Sequence, residues 1–224
     1  MTTNTEAFYK VLNLDGSCYY GGTGSWVQGE WREVTGELIP CENGLHVLTR
    51  DQLVYWLGPR IDTVEAAPDT EMICSEPDKT VVRRARTVST LTTWTSRTQR
   101  LFAADCAERA LDRWWKNKNN RRPYETLAVV RRFANGQATE EELAAAYAAN
   151  AAYAAYPAAR AAAHAAYPAA RAADRAGHPA ARVAAHAAYA ANAAHAAYAA
   201  AAFYAVERAW QSRRLWYYLE GEQA

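Results

Sequence analysis

Residues 139–202 are mostly alanine, and their punctuation repeats every eleven positions. Pro157, Pro168 and Pro179 form one row and Arg160, Arg171 and Arg182 a second. Tyr156, Tyr167, His178 and Tyr189 form a third, and His164, Arg175 and His186 a fourth. Alanine is the strongest helix former, so this stretch is expected to be helical although little of it is amphipathic. An eleven-residue step returns within about 20° of the same helix face, which makes each row nearly straight. A proline inside a helix costs about 3 kcal/mol unless it occupies the first turn. Gly177-His178-Pro179 combines a helix stop with a helix-starting proline and reads as a turn. Pro157 and Pro168 lack that glycine and read as kinks. The arms, residues 139–176 and 179–219, would be about 57 and 62 Å long at ~1.5 Å per residue, matched for an antiparallel hairpin.

Alanine lets two helices approach closely, and the tyrosine row can close over that seam with its hydroxyls at a polar rim. The rows of Arg160, Arg171, Arg182, His164, Arg175 and His186 then face water or a partner, and they are the expected partner-binding surface. His186 and His195 are nine residues apart, about half a turn out of phase, and no carboxylate joins them at ligand spacing. Neither a metal site nor a cofactor is expected.

Lys+Arg 25 against Asp+Glu 24 gives a formal charge of +1, which argues against general coating of nucleic acid. No uncharged apolar run reaches the ~20 residues of a membrane span. The first residues, Met1-Thr-Thr-Asn-Thr-Glu6, lack the basic-then-apolar order of a signal peptide. The four cysteines are scattered without a CxxC pair, so reduced thiols and a cytoplasmic location are expected.

Residues 1–88 have a different texture. Phe8-Tyr-Lys-Val-Leu-Asn-Leu14, turned by Asp15-Gly16 into Ser17-Cys-Tyr-Tyr20, has the pattern of a hairpin. Leu38-Ile-Pro-Cys41 leads into a turn at Glu42-Asn-Gly44, and Leu45-His-Val-Leu48 reads as a buried strand. Thr49 with Gln52 makes a capping box for a helix over 49–57, stopped by Gly58-Pro59. Residues 61–66 and 80–88 read as strands, the second at a sheet edge because neither of its faces is wholly apolar. Gly21-Gly-Thr-Gly24 has the glycine content of a phosphate loop but precedes a strand-like Ser25-Trp-Val, so a plain connection is the expectation. His46 reads first as a core histidine hydrogen-bonded to backbone, and second as a catalytic residue with Cys41 nearby.

The order Tyr9-Lys-Val, Cys41-Glu-Asn-Gly-Leu-His46 and Asp62-Thr-Val-Glu65 resembles an uncharacterised domain of phage and actinobacterial proteins with a Cys-x-x-Gly-Leu-His core. The resemblance covers roughly residues 7–88 and implies no activity. A fainter one, a glycine-containing strand before a helix and a strand, is to ADP-ribosyltransferase folds. That reading makes the first domain an enzyme acting on a nucleotide or nucleic acid. His46, Cys41 and Glu65 would be its catalytic candidates, and Arg83, Arg84 and Arg86 would hold phosphate.

Residues 90–118 carry a broad apolar stripe at helical spacing. Pro123 sits at an expected first helical turn, Asn135-Gly136 stops that helix, and Thr139 with Glu142 makes a second capping box. The aromatic end, Phe203, Trp210, Leu215, Trp216, Tyr217 and Tyr218, is expected to pack on Trp94, Trp114 and Trp115 or on the first domain. Leu101-Phe-Ala-Ala-Asp-Cys-Ala-Glu-Arg109, then Phe133-Ala-Asn-Gly-Gln-Ala-Thr-Glu-Glu-Glu-Leu143, resembles an immunity-protein family over about residues 94–205. That resemblance implies binding and neutralising a toxin.

The expected architecture is α+β. A small mixed, β-rich domain (1–88) precedes an alanine-rich antiparallel helical bundle with a long helical hairpin (89–224). The leading expectation is a non-enzymatic phage- or mobile-element-type accessory protein in the host cytoplasm, with an immunity, anti-defence or host-modulating role. It would bind a host or toxin protein and self-associate through the alanine-rich helices. Nucleic acid is a secondary expectation, carried by the arginines at 83–86 and by Arg121-Arg122.

Overall fold

The computed structural model describes residues 7–76, 78–114, 119, 121–151 and 201–221. Strands come first and helices after, an α+β arrangement, and the chain divides into two compact units, residues 1–92 and 93–224.

In the first unit β1 (Phe8–Leu12), β4 (Arg60–Ala66), β7 (Arg84–Thr90) and β2 (Arg32–Glu33) form one antiparallel sheet in the order β1-β4-β7-β2. β3 (Leu45–Val47), β6 (Lys79–Val82) and β5 (Met72–Glu76) form a second, in the order β3-β6-β5. The sheets are joined twice. The chain runs from β6 into β7 through Arg83 alone, and Tyr9 exchanges both backbone bonds with Leu48, at 2.8 and 2.9 Å. Following β1 to β4, along β7 into β6, and back through β3 closes a ring of strands. Phe8, Leu12, Trp26, Leu45, Val47, Val64, Val82 and Ala85 form one buried cluster in this unit.

Several expectations change here. Residues 49–57 keep their capping box, with Thr49 N–H donating to Gln52 Oε1 at 3.0 Å and Gln52 N–H to Thr49 Oγ1 at 3.4 Å. The helix is reduced to a 3-10 turn at Leu53–Tyr55, because Trp56 leaves helical geometry at φ −131° and ψ 50°. Leu53, Val54 and Leu57 are buried, so the apolar content serves a compact turn. Residues 80–88 belong to two strands, and neither lies at an edge: β6 is flanked by β3 and β5, β7 by β4 and β2. The mixed faces arise because the β7 arginines pair with carboxylates on neighbouring segments. The Asp15-Gly16 turn forms, with Asn13 N–H donating to Ser17 O at 2.9 Å. Its returning arm meets β1 only at the Leu12–Cys18 bridge, since Ser17 already bridges to Ser25.

In the second unit Thr95 and Thr98 cap each other ahead of α1 (Ser96–Trp114), with N–H to Oγ1 distances of 2.8 and 3.2 Å. α2 (Arg122–Ala134) has Pro123 in its first turn, as expected, and ends at Asn135 before Gly136 at φ +70°. The Thr139–Glu142 box opens α3 (Glu140–Ala151), at 2.8 and 3.2 Å. Ala104, Ala107 and Leu111 of α1 pack with Leu127 and Val130 of α2 and Leu143 of α3. α4 (Ala201–Leu219) is tied to α1 by charge. Arg109 donates to Glu207 at 2.8 and 3.0 Å, and Arg214 and Tyr218 both donate to Asp105 at 2.6 Å. Tyr218 stacks edge-on against Phe102 at 6.5 Å, and Phe102 against Trp94 at 6.2 Å, so part of the aromatic end packs toward Trp94 as expected. The residues 101–109 that carry the resemblance to immunity proteins are therefore either core or ion-pair partners: Asp105 and Glu108 also bind Arg131, at 2.8 and 2.7 Å. The eleven-residue rows and the turn at Gly177 lie outside the described residues. No helix among the described residues is long and apolar enough to cross a membrane.

Candidate functional site

Side chains alternate between faces along a strand, so Lys10 projects to the same face of β1 as Phe8 and Leu12. Those two belong to the buried cluster around Trp26, and Lys10 accordingly stands over that ring, its ammonium 5.2 Å from the centroid. Arg32 of β2 approaches the same ring at 5.1 Å. A cation over an indole face gains from the ring's quadrupole, which offsets some of the cost of bringing two like charges together. Lys10 Nζ donates to the His46 carbonyl at 2.7 Å, and Arg32 donates to the carbonyls of Ser25 at 2.8 Å and Thr23 at 3.4 Å. No carboxylate pairs with either cation among the described residues. Burial, chiefly, and then Arg32 pull the Lys10 ammonium down to about 8, with Cys18 opposing.

These two cations line one cavity of about 480 Å³, together with Gly21, Gly22, Thr23, Cys41, His46 and Lys79. His46 sits on β3 between buried Leu45 and Val47, so its ring points to the opposite face from that pair. Its Nε2 accepts the Cys41 backbone N–H at 3.2 Å, which places the ring proton of the neutral form on Nδ1. Burial first, then Lys10 and Lys79, lower its pKa, so the ring is neutral at pH 7. Cys41 adopts φ +69°, a left-handed conformation uncommon outside glycine, in the turn closed by Ile39 and Asn43. It is the Cys41 backbone that meets the histidine. The turn is held against β6 by Gly44, at φ +146°, where an added Cβ would stand 2.2 Å from Val81 Cγ1.

A second group of rings lines the same cavity. Tyr20 meets Tyr19 edge-on at 4.7 Å and Trp56 at 5.0 Å. Tyr20 donates its hydroxyl to the Leu57 carbonyl at 2.5 Å, and Trp56 donates its indole N–H to the Asp78 carbonyl at 2.6 Å. Gly58 makes room for this group: a Cβ there would lie 2.3 Å from Val11 Cγ1 and 2.9 Å from the Tyr19 ring.

Of the residues singled out in the sequence, His46 and Cys41 reach this cavity and Glu65 does not. Glu65 accepts from Arg86 at 2.7 and 2.9 Å, and Arg86 in turn lies 4.6 Å over Trp31. Arg83, Arg84 and Arg86 also lie outside the cavity lining. Arg83 binds Glu71 and the carbonyls of Val34 and Gly36, Arg84 faces Glu33 at 3.7 Å, and Arg86 is held by Glu65. Arg60 is likewise bound to buried Asp62 at 2.7 and 2.8 Å. These arginines have carboxylate partners of their own, which removes the reason to assign Arg83, Arg84 and Arg86 to phosphate. The cavity cations were missed in the sequence. Lys10 carried a signal, a charge at the inward position between Phe8 and Leu12; Arg32, in a two-residue strand, carried none. Arg160, Arg171, Arg182, His164, Arg175 and His186 lie outside the described residues.

The arrangement offers two cations to an anion. Among the described residues, these two cations have no carboxylate partner and no carboxylate hydrogen-bonds His46. All four cysteines are free thiols, and no cluster of three metal-ligating residues occurs among the described residues. No protein-family model matches the chain, and comparison with curated proteins and with solved structures finds no match either.

Proposed function

We propose that the chain is an accessory binding protein whose first unit holds a small phosphate-bearing anion between Lys10 and Arg32. The contrast between guanidiniums carries this reading. Arg60, Arg83, Arg84 and Arg86 each meet a carboxylate, whereas Arg32 and Lys10 line a cavity, donate to backbone carbonyls and stand over an indole ring, and neither is paired with a carboxylate among the described residues. Two partly buried cations in that state repel each other, and an incoming dianion relieves the repulsion while accepting charge-assisted hydrogen bonds.

Calorimetric titration of the full chain with inorganic phosphate and pyrophosphate at pH 7 tests this. Binding is expected, and Lys10→Met or Arg32→Met should each weaken it about tenfold or more, the range of one hydrogen bond to a charged group. Wild-type affinity in both variants, or no binding at all, would overturn the assignment.

For the second unit we retain the reading drawn from the sequence: a long alanine-rich hairpin in the cytoplasm, carrying its arginine and histidine rows to a protein partner of immunity or host-modulating type. The eleven-residue spacing of those rows supports it. Capture of a host or toxin protein by the intact chain, lost when Arg160, Arg171 and Arg182 are changed together to Glu, is the expected result. Capture that survives the triple change would move the contact elsewhere.

A further inference from the structure

The cavity that holds Lys10 and Arg32 has an aromatic wall that an inorganic anion would leave unused. Tyr20, Trp56 and Tyr19 are locked edge to face, and the polar atoms of the first two are committed to the carbonyls of Leu57 and Asp78. All three rings line the cavity, so what this wall can offer a ligand is aromatic surface. Tyr20 is 36% exposed, although its ring belongs to the packed group. An aromatic wall whose polar atoms already have partners suits a flat, apolar-faced ring, which stacks on such side chains. The volume, about 480 Å³, exceeds what a phosphate fills and lies within the range of sites for drug-sized molecules.

We infer that the natural ligand is a nucleoside phosphate, its phosphate between Lys10 and Arg32 and its base against the Tyr20–Trp56 wall. This rests on the anion-binding reading of the same cavity and adds the base. Neutral His46, with Nδ1 protonated, lines the same cavity and supplies a donor without adding charge. Gly21, Gly22 and Thr23 line it as well, with no side chain larger than threonine to narrow the space.

The test compares adenosine monophosphate, ribose 5-phosphate, inorganic phosphate and adenosine on the full chain by calorimetry. Adenosine monophosphate should bind about tenfold tighter or more than ribose 5-phosphate, the range of one base stacked on one aromatic side chain. Tyr20→Leu should erase that difference while leaving the affinity for inorganic phosphate unchanged, which also shows that the cavity remains folded. Trp56→Leu provides a second variant with the same expectation. Equal affinities for adenosine monophosphate and ribose 5-phosphate would overturn the nucleoside assignment and leave the anion cleft standing. Loss of phosphate binding in both aromatic variants would make the wall structural and also overturn it. If no phosphate compound binds the wild-type chain, the anion cleft itself fails and this inference falls with it. Adenosine binding as tightly as its monophosphate would overturn the roles given to Lys10 and Arg32.

Discussion

Lys10 is held in a state that favours its neutral form. Arg32 and Lys79 line the same cavity, Cys18 and exposed Glu42 sit on its lining, and His46 adds no charge at pH 7. In the folded chain the amine loses its proton around pH 8, against 10.5 ordinarily. Between those two values the unfolded chain holds more protons than the folded one, so the contribution of Lys10 to stability rises with pH across that window and is unfavourable below it. Lys10→Met should therefore raise the melting temperature of the first unit at pH 7, by an amount corresponding to about 3 kcal/mol, and the gain should shrink toward pH 10. Thermal melts of both proteins across that range check the sign. A variant that melts lower than the wild type at pH 7 would mean that Lys10 stabilises the empty fold. Bound phosphate acts in the opposite direction, favouring the ammonium, so phosphate affinity should decline as pH rises past about 8.

At the scale of elements, what could be read in the sequence depended on how local its cause was. The Asp15-Gly16 turn, the β3 run, both capping boxes, the Pro123 start and the Asn135-Gly136 stop each follow from a few adjacent residues, and each formed. The helix expected at 49–57 did not, because Gln52 serves two masters: its Oε1 accepts both the Thr49 amide and the Thr80 hydroxyl, each at 3.0 Å, and so ties the turn to β6. That second bond is 28 residues away and has no local signature. β2 is two residues long, too short for any periodicity, and β5 is defined by its pairing to β6. The division of 79–90 into two strands falls at Arg83, whose N–H leaves the ladder for the Glu71 carbonyl at 3.0 Å. In the helical unit the spacing of α1 gave a stripe but not its partners: Asp105, Glu108 and Arg109 connect to α2 and α4 across 23 to 113 positions of sequence. Cross-element ion pairs leave no periodic trace.

At the scale of the molecule, the candidate site was half legible. His46 and Cys41 drew attention through a turn and a short apolar run, and both do reach the cavity. The residues that give the cavity its charge were hidden, since Lys10 and Arg32 come together only when β1 and β2, at opposite ends of one sheet, flank Trp26. Glu65 and the arginines at 83–86 showed the converse: side chains suited to chemistry that spend their charge on each other and on nearby acids. The contacts proposed for the two units differ in kind, a small anion for the first and a protein for the second. The most direct measurement of the central claim is an NMR titration of the Lys10 side chain, followed through its ε-methylene signal with and without saturating phosphate. The account predicts a midpoint near pH 8 for the free chain and a clear rise when phosphate is bound. A midpoint at the ordinary 10.5, unmoved by phosphate, would contradict it.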